Sequence, residues 1–206
     1  VDTLDGIETL EFADGPIGVS IDGNGGYALS GSSLEDTITV SSDAGFTLEG
    51  GDGADVLEGG AGSDVLIGGE GNDVAIYEGT QAEYQFGVDQ GQLTVTHIAT
   101  GAVDTLDGIE TLEFADGPIG VSPGFNGGFA LSGSSLEDTI TVTSDAGFTL
   151  EGGDGADTLV GGTGSDTLEG GAGSDVLIGG EGDDVAIYEG SQSDYRFGVV
   201  QGLLTV

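Results

Sequence analysis

Apolar residues follow two rhythms along this chain. Within residues 50–76 and 152–187, short groups such as Val-Leu-Glu, Val-Leu-Ile and Val-Ala-Ile recur every nine positions, with glycine-rich stretches between them. Side chains alternate along an extended triplet, so the middle one points inward. This places Leu57, Leu66, Ala75, Leu159, Leu168, Leu177 and Ala186 in a core. Outside these blocks the alternation has period two. Residues 30–49 mix β-branched and polar positions as strands do, and residues 84–88 and 92–96 alternate around Asp89-Gln90-Gly91. The latter pattern predicts a hairpin with a tight turn. The segment after it carries Leu106, Ile109, Leu112 and Phe114 as apolar anchors. The expected class is all-β: parallel β-rolls alternating with small antiparallel β segments in a tandem array.

The pattern is itself repeated. Residues 1–20 recur unchanged at 103–122, and matching continues from Ala28 and Ala130 through Ser42 and Ser144. The offset is 102 residues before the glycine blocks and 111 after them, so the second block holds one additional nonapeptide. The expected organisation is the tail of a preceding unit at 1–20, a complete unit at 21–122 with a roll at 50–76, and an incomplete unit at 123–206 with a roll at 152–187. Such a sequence reads as a window from a longer chain.

Charge narrows the partners. There are 38 Asp and Glu against a single Arg and no Lys, giving a formal net charge of -37. Phosphate binding needs basic residues, so nucleic acid is excluded as a natural partner. An anionic membrane surface repels such a chain, and no apolar run suits membrane insertion. The counter-charge it calls for is a cation. Glycine supplies 44 residues, each costing more backbone entropy on folding than another residue would. A chain of this composition is expected to fold when a ligand offsets charge and entropy together. Cysteine is absent, which removes disulfides and thiolate metal sites and leaves metal as an alternative staple.

The glycine blocks supply the cation site. All seven nonapeptides, three in the first block and four in the second, fit G-G-x-G-x-D-x-U-x, with U apolar. This pattern belongs to parallel β-helix repeats that bind calcium. Glycines permit a tight turn with inward carbonyls, the aspartate follows, and a short strand leads to the next turn. Two nonapeptides complete one coil, so Asp55 stacks near Asp73, Asp157 near Asp175 and Asp166 near Asp184, while Asp64 has no clean partner within its block. Coils lie ~4.8 Å apart. Two carboxylates at ~5 Å repel by about 1 kcal/mol even in water. A divalent ion between turns reverses that sign. Carboxylate and carbonyl oxygens in a flexible cage favour Ca2+ over Mg2+, and the scarcity of His and Cys argues against zinc and copper.

On these motifs the chain resembles the repeats-in-toxin (RTX) β-roll family of secreted bacterial proteins. The resemblance implies a right-handed parallel roll with Ca2+ between turns. It implies ligand carboxylates at Asp55, Asp64, Asp73, Asp157, Asp166, Asp175 and Asp184. Turn carbonyls would come from Gly51, Gly53, Gly60, Gly62, Gly69 and Gly71 in the first block. In the second they would come from Gly153, Gly155, Gly162, Gly164, Gly171, Gly173, Gly180 and Gly182. The hairpin and the D-x-L-x-G-I-E-x-L-x-F segment are similar to the segments that close such rolls. In the Leu-Glu-Asp-Thr-Ile stretch at 34–38, Asp36 holds the place of a ligand but lacks the glycines, so Asp36 and Asp43 read as surface turn residues.

No catalytic constellation stands out. Asp104, Asp107 and Glu110 recur as Asp2, Asp5 and Glu8, which suits a structural role better than a carboxylate pair for catalysis. His97 has no partner for triad chemistry and reads as an exposed strand residue, and Arg196 replaces Gln85 of the earlier unit. The expected function is a non-enzymatic, calcium-binding structural repeat segment of a secreted or surface-anchored bacterial protein, in an extracellular stalk, sheath, surface layer or fibre. Its partners would be calcium ions and identical units or chains. The alternative is the secretion and folding module of an RTX enzyme or toxin whose catalytic domain lies outside these residues.

Overall fold

The computed structural model describes residues 4–22, 26–124, 128–200 and 203–206. Three strands come first, β1 (Thr9–Glu11), β2 (Pro16–Ile21) and β3 (Tyr27–Ser30). A roll follows through β4 (Thr37–Thr39), β5 (Phe46–Asp52), β6 (Val56–Glu58), β7 (Val65–Glu70) and β8 (Val74–Ile76). A 3-10 turn at Gln81–Glu83 leads into the hairpin β9 (Tyr84–Asp89) and β10 (Gln92–His97), then β11 (Val103–Asp107), β12 (Thr111–Phe114) and β13 (Gly117–Pro123). The second roll comprises β14 (Phe129–Ser132), β15 (Thr139–Thr141), β16 (Thr149–Gly155), β17 (Thr158–Gly162), β18 (Thr167–Gly173), β19 (Val176–Gly180) and β20 (Val185–Ile187). Another 3-10 turn, Gln192–Asp194, precedes β21 (Gly198–Val200) and β22 (Leu203–Thr205). Among the described residues there is no α-helix.

Strands alternate between the two faces of each roll. On one face of the first roll, Leu29, Leu48, Leu66 and Leu106 stand in parallel register. On the other, Ile38, Leu57, Ala75 and Leu112 do the same. The second roll repeats this with Leu131, Leu150, Leu168 and Ala186 opposite Ile140, Leu159 and Leu177. These columns form the core, and most of their members are fully buried. Ala186, expected inside, is exposed, because β20 is the last strand of its sheet and nothing among the described residues covers it.

Parallel stacking extends beyond the glycine blocks at both ends. β3 and β4 make a coil before the first block, although their connection lacks the glycine pattern. After it, the closing segment adds β11 and β12 as parallel strands to the two faces. The antiparallel parts are β1–β2–β3, the β9–β10–β11 meander, the β12–β13–β14 link and the β21–β22 pair. Gln90 and Gly91 both take positive φ (52° and 87°) between Asp89 and Gln92, the turn that a two-residue hairpin requires. The link carries the nine-stranded sheet, β4-β6-β8-β12-β13-β14-β16-β18-β20, continuously through both rolls.

Candidate metal centre

Each nonapeptide aspartate sits at the end of a glycine turn and curls back over it. One carboxylate oxygen is engaged by the coil before. Asp55 Oδ1 accepts the amide of Asp36 at 2.7 Å, and Asp73 Oδ1 that of Asp55 at 2.8 Å. Asp64 Oδ1 accepts the Phe46 amide at 2.7 Å. In the second roll Asp157, Asp166, Asp175 and Asp184 take the amides of Asp138, Phe148, Asp157 and Asp166 at 2.9, 2.7, 3.1 and 3.0 Å. The aspartates therefore form two ladders along each roll, one on each edge.

The second oxygen is left over. Oδ2 of Asp55, Asp64, Asp73, Asp157 and Asp166 is buried without a hydrogen-bond partner. A buried, unpartnered carboxylate oxygen is costly unless something positive meets it. Beside it lie carbonyl oxygens of the adjoining turn. A β-carbon on Gly50 would meet both Asp55 Oδ2 and, at 2.7 Å, the Gly68 carbonyl. At Gly161 it would meet Asp166 Oδ2 and, again at 2.7 Å, the Gly179 carbonyl. The turns also stack glycine on carbonyl. Gly69 and Gly71 lie over the carbonyls of Gly51 and Gly53, and Gly171 and Gly173 over those of Gly153 and Gly155, each at a positive φ. Alanine there would collide with the turn before it and also face an unfavourable backbone angle. The donors are all oxygen, from a carboxylate and from turn carbonyls of neighbouring coils, which is the set a hard, flexibly coordinated cation such as Ca2+ takes. No group of three or more acidic or histidine side chains converges among the described residues, so carbonyls must complete any cation's shell.

A family model described as "RTX calcium-binding nonapeptide repeat (4 copies)" matches residues 47–75 and 151–186. The two glycine blocks are RTX calcium-binding nonapeptide repeats. No curated protein matches the chain. Among solved structures, the extracellular lipase LipA from Serratia marcescens is similar, with a TM-score of 0.41 and 20% identity over 84% of this chain and 35% of that one. This chain thus spans little more than a third of the lipase's length.

Burial pushes the RTX carboxyls of Asp55, Asp64, Asp157 and Asp166 above the ordinary carboxylate range. The amide donors from the coil before pull them part of the way back. Like charge in the ladder raises them again, Asp73 acting on Asp55, Asp138 and Asp175 on Asp157, and Asp184 on Asp166. Without a cation, the RTX turns therefore hold their negative charge under stress.

The ladders run further than the RTX motif. Asp36, read from sequence as a surface turn residue, is buried, and its Oδ2 accepts the amide and hydroxyl of Ser32 at 2.7 and 2.9 Å. Asp138 is held in the same way by Ser134, at 2.7 and 3.1 Å. A serine thus supplies the donors that the RTX turns lack. Asp43 is exposed, as expected. At the far end Asp64 gains the partner it lacked in sequence, its amide donating to Asp104 Oδ1 at 2.8 Å, and Asp73 donates to Glu110 at 2.8 Å. Asp104 is pushed up to about 7 by burial and by the charge of Asp64. Asp107 is exposed, and Asp2 lies outside the described residues. His97 is half-buried in β10, bonded to Thr100, with its ring tilted at 51° against Tyr84.

Asp36 and Asp138 are legible in hindsight from spacing, since each lies 19 residues before a ladder aspartate, one more than the coil period. Asp104 and Glu110 are not, because the hairpin intervenes and the separations stretch to 40 and 37 residues.

Proposed function

We propose that this chain is a non-catalytic structural segment of an extracellular, secreted or surface-anchored bacterial protein, its RTX rolls acting as calcium-set rods in a stalk, sheath, surface layer or fibre. The ligands are Asp55, Asp64, Asp73, Asp157, Asp166, Asp175 and Asp184 with carbonyls of the glycine turns. One observation carries the reading: among the described residues five buried aspartate oxygens lie without partners along the edges of the rolls, those of Asp55, Asp73, Asp157 and Asp166 beside turn carbonyls. A cation there would satisfy them, cancel repulsion down each ladder, and bind only the folded coil. Binding to the native state alone adds stability by mass action. Near-identical units support a role in length and stiffness, since a rod gains from copies.

Circular dichroism of the chain in Ca2+ and in EGTA tests this. The expected result is β structure with Ca2+ and its loss on chelation. An unchanged spectrum would remove the coupling between metal and fold.

A further inference from the structure

The closing segment of the first roll reproduces the ladder geometry without the ladder sequence. Thr111 of β12 stands in parallel register with Val74, which sets Glu110 beside Asp73, one coil further on. The Thr111 amide donates to the Asp73 carbonyl at 3.1 Å, as the Val74 amide donates to the Asp55 carbonyl at 2.9 Å. The Asp73 amide donates in turn to Glu110 Oε2 at 2.8 Å, just as the Asp55 amide donates to Asp73 Oδ1 at 2.8 Å. Glu110 therefore holds the place of the next nonapeptide aspartate, although 37 residues separate it from Asp73 where the coil period is 18. Ile109, buried in the core beside it, anchors the segment at that height.

A carbonyl matches as well. A β-carbon on Gly50, Gly152 or Gly161 would meet Oδ2 of that turn's own aspartate together with the carbonyl of the next coil, from Gly68, Gly170 or Gly179. On Gly68 it would meet Asp73 Oδ2 together with the carbonyl of Gly108. Gly108 belongs to the closing segment, not to a glycine block. It takes a φ of 61° and packs on Gly69, whose amide nitrogen and carbonyl oxygen a β-carbon there would meet at 3.1 and 3.2 Å. Asp73 is 1% exposed, and its Oδ2 has no hydrogen-bond partner. Glu110 Oε1 takes no hydrogen bond among the described residues either, its partner oxygen being the one that holds the Asp73 amide.

We propose that the closing segment completes a further calcium site at the end of the first roll, with Glu110 Oε1 and the Gly108 carbonyl joining Asp73 Oδ2. Two carboxylates and a carbonyl from separate stretches of chain give the all-oxygen donor set that Ca2+ takes. The buried Asp73 oxygen carries the argument, because it needs a positive partner and the nearest oxygens around it come from the closing segment. An ion there ties β12 to the roll through a side chain and the backbone at once, so calcium sets the cap as well as the coils. The proposal rests on the calcium reading above and adds two ligands that lie outside the nonapeptides.

Glu110→Gln tests it in the 206-residue chain, since glutamine keeps an oxygen for the Asp73 amide and removes the charge and the second oxygen. Equilibrium dialysis measures bound Ca2+, and amide NMR signals of the glycines locate each site. In the variant one ion should bind at least about tenfold more weakly. The Gly69 and Gly108 signals should move with that ion, while Gly51 and Gly153 keep their midpoints. Glu113→Gln removes the same charge from the exposed face of β12 and should change neither readout. Binding that is unaltered in Glu110→Gln, or equally weakened in Glu113→Gln, would overturn the site. If Glu110→Gln does not fold, crystals of the unaltered chain grown in Ca2+ decide it by anomalous scattering. A calcium peak between Asp73 and Glu110 supports the site, and peaks confined to the other turns overturn it. An unaltered chain that binds no Ca2+ would overturn the calcium reading itself, whereas one that binds it and loses nothing in Glu110→Gln overturns this site alone.

Discussion

At the residue scale, each ladder aspartate serves two coils at once. Asp175 Oδ1 caps the Asp157 amide, while its Oδ2 lies over Gly170 of its own turn. Asp175→Ala should therefore damage the site between those coils and leave the first roll untouched. Loss even of a group that supports a metal ligand commonly costs ten- to a hundredfold in affinity, so a fall of at least about tenfold is expected for one class of site. Calorimetric titration with Ca2+ measures it, and glycine amide NMR signals locate it. Equal perturbation of the first block, around Gly51 and Gly69, would contradict local sites. The nonapeptide aspartates were legible because one residue type recurs at one spacing behind glycine. Asp36 was hidden because serine donors replace glycine there, and Asp104 because its distance in sequence bears no relation to its height in the coil.

At the scale of elements, the count of nonapeptides decides which face a roll exits. Each nonapeptide is half a coil. With three, the first roll enters on β3 in the eight-stranded sheet and leaves on β8 in the nine-stranded one. With four, the second enters on β14 and leaves on β20 in the same sheet. Removing residues 161–169 should move the Val-Ala-Ile strand across the roll. Val185 now pairs with Thr167, and in the shortened chain it should pair with Thr158. Amide NOEs between neighbouring strands distinguish the two pairings, and contacts to Thr158 that never appear would show that half-coil phasing is wrong. The period-nine rhythm made the strands readable. It did not show that residues 103–114 join the parallel stack, since β11 and β12 are reached only after an antiparallel hairpin and owe their place to Leu106 and Leu112 filling the two apolar columns.

At the scale of the molecule, protons and calcium compete for the same groups, and either one relieves their buried charge. In the metal-free chain, burial raises Asp55, Asp64, Asp157 and Asp166, and raises Asp104 to about 7. A carboxyl raised in the folded state holds its proton there at a pH where the unfolded chain, near the ordinary value of about 3.9, has lost it. The stability this contributes is complete below the unfolded value and is lost as pH rises through the folded one. Acidification also trims the net charge of -37, which acts in the same direction. In EGTA, β structure should therefore grow as pH falls from about 8 toward 4.5, spanning the window between the ordinary and raised values. With saturating Ca2+ that slope flattens, because a ligand carboxylate sheds its proton to bind metal and is then as deprotonated in the folded coil as in the unfolded chain. The calcium concentration at half-folding should therefore fall as pH drops through that window, because protons already stabilise the metal-free coil. Circular dichroism across a grid of pH and free Ca2+ measures both slopes in one experiment. A calcium-saturated chain that keeps the pH slope of the metal-free one would mean the aspartates are not the ligands, and a metal-free chain that ignores pH would mean that their burial is not what holds the coil open.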